Sequence, residues 1–342
     1  MENFSMRHKI LVTIGPCSLE GEIIRKMNRE SIYLYRINMS HTRLEDLQGV
    51  ITEIQKHTDV PICIDSEGAQ VRNHKMRNGS AQLITGTTIK INYSEILGDS
   101  ENISFTPVDI VKRLQAGDII NIDFDSVSLK VGEVNTSHVI AKVINGGFVG
   151  SNKAADVNRQ MDLPAITSKD RKAITTGKEM GIKHFALSFA NRKENVDEMR
   201  ELVGPDAKII SKIESRSSLL NLNGIIEASD EILIDRGDLS REVDLILIPF
   251  LQRRIISIAR SKETPVFVAT NLLESMIKNK NPTRAEVNDV VSSVEHGANG
   301  LVLAAETAVG KYPVESVRNI RLLMNQLERW TSNTSINELL NS

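Results

Sequence analysis

The chain has 342 residues, enough for one large domain or two ordinary ones around a substantial core. Its 42 Lys and Arg against 44 Asp and Glu give a net charge of −2, so no general basic surplus points to nucleic acid or an anionic membrane surface. No apolar run approaches the roughly 20 residues that cross a bilayer, and the N-terminus lacks the apolar stretch of a signal peptide. Cys17 and Cys63 show no metal-ligand spacing, so a cytoplasmic protein with reduced thiols is expected.

Residues 9–14 read as a strand closed by Gly15 and Pro16, followed by a helix with Ser18 as N-cap and Ile23, Ile24 and Met27 on its apolar face. A second strand, 32–37, runs out through Arg36, Asn38 and Ser40, whose alternation turns all three toward one face. An amphipathic segment, 44–55, leads to a third strand, 60–64, which stops at Asp65, Ser66, Glu67 and Gly68. From 73 to 161 the rhythm changes to glycine-containing turns and short alternating runs, which predicts a small β-rich domain inserted in a loop. Strand and helix then alternate again, with strands at 184–189, 208–213, 231–235, 265–269 and 300–304. Helices are expected at 168–180, 193–202, 246–262, 283–296 and 314–328, with a short helical turn after Ser215.

Three strand–helix units before the insertion and five after it make eight. Without the insertion about 250 residues remain, the usual size of a (β/α)8 barrel. A doubly wound sheet is the rival, but the chain has no Gly-rich dinucleotide turn. The expected fold is therefore α/β, a TIM barrel with a small domain inserted after the third strand. Residues 1–72 and 162–330 form the barrel, 73–161 the insertion, and 331–342 a polar tail.

The run 208–213 ends in Lys212 and Glu214, two residues apart and so on one face of a strand. The run 231–234 breaks into a segment with a second carboxylate, Asp238, beside Gly237, where a ligand can approach the backbone. Two carboxylates and a lysine at adjacent strand ends can hold a divalent cation and an anion next to it. Lys212 and Glu214 can also do no more than pair with each other. Polar residues gather at the other strand ends too, among them Thr13, Arg36, Asn38, Ser40, Asp65, Thr270 and Glu306. That is the rim where barrel active sites sit, which favours the first reading.

The segments Val12 to Pro16, Arg36 to His41, Ser211 to Glu214, Arg236 to Leu239, Ala269 to Met276, Pro282 to Glu286 and Glu306 to Ala308 resemble, in order, signature segments of the pyruvate kinase family. The resemblance runs from about residue 8 to residue 328. It implies a barrel with an inserted β-barrel lid, and phosphoryl transfer between phosphoenolpyruvate and ADP, or a related small molecule and nucleotide. By position, Glu214 and Asp238 resemble the ligands of a divalent cation, Mg2+ or Mn2+. Lys212 resembles the cation that steadies the transferring phosphoryl group and the enolate, a task of positioning and charge neutralisation. The backbone at Gly237 and Asp238 corresponds to the place that receives the substrate carboxylate, and Thr270 to the threonine near the enol carbon. Asn38, Ser40, Asp65 and Ser66 resemble the ligands of a monovalent cation, K+. Arg36 corresponds to the arginine that reaches the phosphoryl group, and with His41, Arg72 and Lys153 it falls where the family contacts nucleotide. Taken without the resemblance, Asn38 and Ser40 can cap the next helix and Thr270 can be packed core. Lys153 can be a solvated charge, and His41 a helix-entry residue with no ligand.

The sequence departs from that family in three places. At the third strand exit Glu67 stands for a lysine and Gln70 for a glutamate associated with K+ use. In the insertion Asp123 is kept, but Phe124 and Asp125 replace an aspartate and a glycine of the nucleotide side, and Asn152 and Ala154 flank Lys153. The chain stops soon after the last barrel helix, without the family's C-terminal domain, so no response to sugar-phosphate effectors is expected, and the usual tetramer is in question. Partners are expected to be a small-molecule substrate and a nucleotide, with no nucleic acid or membrane and with a homo-oligomer left open. Two other functions compete: a metal-dependent enolpyruvate lyase or aldolase, and a non-catalytic binding protein of the same family.

Overall fold

Eight aliphatic, largely β-branched segments close into a barrel of parallel strands. They are β1 (Lys9–Thr13), β2 (Leu34–Asn38), β3 (Ile62–Asp65), β4 (His184–Leu187), β5 (Lys208–Ile213), β6 (Glu231–Asp235), β7 (Val266–Ala269) and β8 (Gly300–Leu303). The computed structural model describes residues 8–123, 126–159, 161 and 163–341. Each strand pairs with its chain neighbours, and β1 closes the ring by pairing with both β2 and β8. Met1–Gly68 and Ala165–Ser342 form this compact unit, and Ala69–Pro164 form a second.

Both faces of the barrel strands are buried, which is why they read as nearly continuous apolar runs. Alternate residues divide between two cores. Ile10, Val12, Ile209, Ile213, Ile232 and Ile234 pack with the surrounding helices. Leu11, Leu34, Cys63, Ile210, Leu233 and Val302 belong to a separate cluster that fills the barrel. Three barrel helices begin with reciprocal caps: Thr167 with Asp170, Ser215 with Ser218, and Thr283 with Glu286.

Below the inner layer, Glu231 lies two residues before Leu233 and so on the same face. Its Oε1 accepts from Lys9 Nζ at 2.9 Å and from the Tyr33 hydroxyl at 2.8 Å. The ammonium also stands 3.9 Å from the Tyr33 ring centroid. Lys9→Met would leave a buried carboxylate with the phenol alone. Because Lys9 is partly exposed, we expect a loss of about 2 kcal/mol rather than the full cost of breaking a buried pair. Urea unfolding checks this, with ligand affinity at the opposite rim unchanged.

In the second unit seven strands make one sheet, from Ala155–Val157 at one edge to Arg72–Asn73 at the other. A bridge between Arg72 and Ala154 joins these edges, so the sheet curls into a nearly closed, barrel-like form. Its own core includes Ile91, Ile103, Phe105, Val127, Leu129 and Val139.

Local differences from the sequence reading have simple causes. Ser18 is not an N-cap: its Oγ accepts from Gly15 N–H at 3.1 Å and closes the Gly15–Pro16 turn, while the helix Gly21–Asn28 starts later. The amphipathic segment 44–55 begins as a 3-10 turn, Leu44–Asp46, before the helix Leu47–Gln55. Both cysteines are free, Cys17 exposed and Cys63 buried in the barrel. Among the described residues, no helix is long and apolar enough to cross a membrane.

Candidate active site

One two-residue step beyond the inner apolar layer, the strands turn polar. Leu11 is followed by Thr13, Leu34 by Arg36, Cys63 by Asp65, Ile210 by Lys212 and Leu233 by Asp235. The parallel register sets Thr13 beside Arg36 and Lys212 beside Leu233. Arg36 gives Nε and Nη2 to Asp65 Oδ2 at 2.7 and 2.6 Å and Nη1 to Thr13 Oγ1 at 3.0 Å. Lys212 Nζ lies 2.9 Å from Glu214 Oε2, 3.4 Å from Asp235 Oδ2 and 3.7 Å from Asp65 Oδ2. It also donates to Ser188 Oγ at 3.2 Å. Burial alone would lower the Lys212 pKa, but Asp65, Glu214 and Asp235 outweigh it and hold the ammonium charged.

The carboxylates differ among themselves. Burial raises Glu214 above the ordinary glutamate range, and Asp238 and Asp235 add to that against the pull of Lys212. Its Oε1 accepts from Phe189 N–H at 2.6 Å, whereas Oε2 meets Lys212 without an aligned hydrogen bond. Burial also pushes Asp235 upward, but Lys212, the Thr270 hydroxyl and Arg36 prevail and hold it below the usual aspartate value. Asp238 Oδ1 takes a bond from Arg241 Nη1 at 3.0 Å.

Thr270 adopts φ 77° and Asn271 φ 57°. A β-branched residue there is a real outlier that costs about 1–3 kcal/mol and marks sites where geometry serves function. Three contacts hold it. Thr270 Oγ1 donates to Asp235 Oδ1 at 2.6 Å, Arg236 Nη2 donates to the Thr270 carbonyl at 2.6 Å, and Arg236 Nη1 is anchored on Asp289 at 2.8 and 2.9 Å. Gly237 lies so near that a Cβ there would come within 2.7 Å of Thr270 Cγ2. Arg236→Lys keeps the charge but cannot bond the Thr270 carbonyl and Asp289 together. We expect it to cost about 1–2 kcal/mol in denaturant titrations, with weaker binding of whatever Thr270 contacts.

Glu214, Asp235 and Asp238 each offer an oxygen, and these atoms lie within 4.8 Å of one another. Hard oxygens with residual acceptor capacity at Glu214 Oε2 fit Mg2+ or Mn2+. Glu214 and Asp238 are the pair expected from the sequence; Asp235 was missed. Its signal was available, because it follows Leu233 as Lys212 follows Ile210. Arg236 and Ser188 were missed as well, and both act through loop and backbone geometry that spacing does not encode.

The four residues matched to a monovalent cation each lie at the β2 and β3 exits. Asn38 Oδ1 accepts from Ser40 N–H at 2.9 Å, Asp65 carries Arg36, and Ser66 Oγ accepts from Ser188 N–H at 2.9 Å. Glu67 pairs with Lys169 at 2.9 Å, so the reversed charge is compensated on the spot. Asp170 accepts from the N–H groups of Glu67 and Gly68 at 2.7 and 3.2 Å, tying this exit to the next helix. Glu306 is structural: it accepts from Leu273 N–H at 3.1 Å and Ala304 N–H at 2.8 Å. His41 is exposed in the turn after β2.

In the second unit Arg72 donates to the Gln70 side chain and to the Asn152 carbonyl, and Lys153 pairs with Asp123 at 3.0 Å. Phe124 and Asp125 lie outside the described residues.

Residues 5–317 match the family described as pyruvate kinase, barrel domain. The chain is similar to the pyruvate kinase of Bacillus licheniformis, 33% identical over 94% of this chain and 57% of that one. It is 35% identical to that of Geobacillus stearothermophilus, again over 94% of this chain and 57% of the relative, so it spans little more than half the length of these two proteins. With the pyruvate kinase of Methylorubrum extorquens the identity is 35% over 95% of this chain and 69% of the other. The crystal structure of a pyruvate kinase from Cryptosporidium parvum superposes with a TM-score of 0.85 at 30% identity, covering 96% of this chain and 70% of that one. With its eight-stranded barrel and inserted barrel-like sheet, and with that match along nearly its whole length, this chain belongs to the pyruvate kinase family.

Proposed function

We propose that this protein moves a phosphoryl group between phosphoenolpyruvate, or the enol phosphate of a related small molecule, and ADP. The observation that carries the reading is the buried, charged Lys212 among the Asp65, Glu214 and Asp235 carboxylates at the barrel rim, with Asp238 grouped beside Glu214 and Asp235. In the ATP-forming direction the bond from phosphorus to the enol oxygen breaks and that oxygen keeps the electron pair. A new bond forms from phosphorus to the terminal phosphate oxygen of ADP, and the enolate carbon then takes a proton. Lys212 and Arg36 steady the negative charge that passes across the phosphoryl oxygens. Thr270 stands by the enol carbon, and the Gly237–Asp238 backbone receives the group beyond it. Glu214 and Asp238 would hold Mg2+ or Mn2+, with Asp235 in reach, and the bound cation supplies charge neutralisation.

We assign nucleotide contacts to Arg36, His41, Arg72 and Lys153, and a monovalent-cation (K+) site to Asn38, Ser40, Asp65 and Ser66. We assign the protein to the cytoplasm, where its free thiols stay reduced. Self-association is part of this reading, supported by the exposed Leu245, Ile246 and Phe250.

The test combines protein, phosphoenolpyruvate, ADP and Mg2+, with and without K+, and follows ATP and pyruvate together. Formation of both is expected. Proton exchange into pyruvate without ATP would favour lyase chemistry, and silence in both readouts would favour a binding protein.

A further inference from the structure

Asp235 has a use that neither strand pairing nor helix capping explains. It stands at the N-cap of the short helix Arg236–Glu242, where an aspartate ordinarily accepts from the backbone, yet it makes no side-chain cap. Its oxygens turn elsewhere. Oδ1 accepts from the Thr270 hydroxyl at 2.6 Å, and Oδ2 lies 3.4 Å from the Lys212 ammonium. Oδ1 also stands 3.4 Å from where a Cβ on Gly237 would be. The Thr270 hydroxyl, the Lys212 ammonium and Gly237 therefore already face a carboxylate that belongs to the protein.

A ligand carboxylate brought to the same groups meets that charge at close range. Three side-chain cations, Arg36, Lys212 and Arg241, stand among the four carboxylates Asp65, Glu214, Asp235 and Asp238, and Arg241 is taken up by Asp238. Arg36 is committed to Asp65. Even with a divalent cation on Glu214 and Asp238, a further anion beside Thr270 must share the Thr270 hydroxyl and Lys212 with Asp235, and like charges that close in a buried site repel strongly.

We propose that Asp235 determines specificity by supplying this carboxylate from within the chain, so that the site selects a phosphorylated small molecule whose group at Thr270 and Gly237 is neutral. The proposal rests on the phosphotransfer reading of the same site. A hydrogen at that position meets Asp235 without repulsion, and a hydroxyl or amide can donate to it. A ligand carboxylate can do neither. The phosphoryl end of the ligand keeps Lys212 in either case.

Two enol phosphates test this: phosphoenolpyruvate, and vinyl phosphate, which has hydrogen in place of the carboxylate. Binding of each in the presence of Mn2+ is measured by calorimetry, and ATP formation with ADP is followed alongside. The wild type is compared with Asp235→Ala and Asp235→Asn. The asparagine keeps the shape and the bond from Thr270 while turning its amide NH2 to Lys212, so agreement between the two variants, each checked for folding by circular dichroism, carries the test. The wild type should bind vinyl phosphate at least as well as phosphoenolpyruvate. Both variants should tighten phosphoenolpyruvate by about tenfold or more, with KM falling in step and vinyl phosphate little changed.

An unchanged preference in the variants would overturn the proposal. So would a loss of Mn2+ affinity without a change of preference, which would make Asp235 a cation ligand. Failure of either compound to bind overturns it too. If both compounds bind and neither yields ATP, the phosphotransfer reading fails, while the calorimetric preference still decides the role of Asp235.

Discussion

Lys212→Met should lower phosphoryl transfer by about a thousandfold. The ammonium is buried and charged, and it sits within 3.7 Å of carboxylate oxygens from Asp65, Glu214 and Asp235. Methionine matches its length but supplies no charge at the point where negative charge passes from one oxygen to another. It also leaves those carboxylates without their shared cation, a change of the kind that costs about 3–5 kcal/mol. The two effects must be separated. A purely structural lysine would give a less stable variant whose folded fraction transfers phosphate at the wild-type rate. A catalytic one gives a variant that is folded by circular dichroism and still binds Mn2+, but is slow in single turnover. Lys212→Arg should not restore the rate, because the planar guanidinium cannot replace a compact ammonium among three strand ends.

The barrel was legible because its signal is repeated. Eight apolar runs alternate with helical segments, and each strand is short, buried and followed by a polar exit. The inserted unit was legible as a change of rhythm, as where inward Ile89 and Ile91 alternate with exposed Thr88 and Lys90. The site was legible as far as period-two alternation reaches. It brought Lys212 and Glu214 to one face, and the same rule applied to Leu233 would have added Asp235. What alternation cannot reach is the loop geometry: the positive φ of Thr270 and Phe189, and the span from Arg236 to Asp289. These depend on contacts between segments distant in sequence, and no spacing announces them. Glu306 shows that a polar strand end can serve two backbone N–H groups, those of Leu273 and Ala304.

Glu214→Gln distinguishes a cation ligand from a simple partner of Lys212. In the wild type one oxygen accepts from Phe189 N–H and the other lies against the ammonium. Glutamine can keep the first bond, but its amide NH2 then faces Lys212, donor against donor. Metal-free stability should therefore fall whichever role is correct, and that measurement alone decides nothing. The deciding quantity is the stabilisation added by Mn2+. A cation that binds only the folded protein raises its stability by an amount set by concentration over Kd. If Glu214 is a ligand, losing its charge should weaken the cation by at least about tenfold, and Mn2+ should raise the melting temperature of the wild type far more than that of the variant. If Glu214 only balances Lys212, both proteins should gain the same increment from Mn2+, starting from different baselines. Equal increments would remove Glu214 from the cation site and leave Asp238 and Asp235 to hold it.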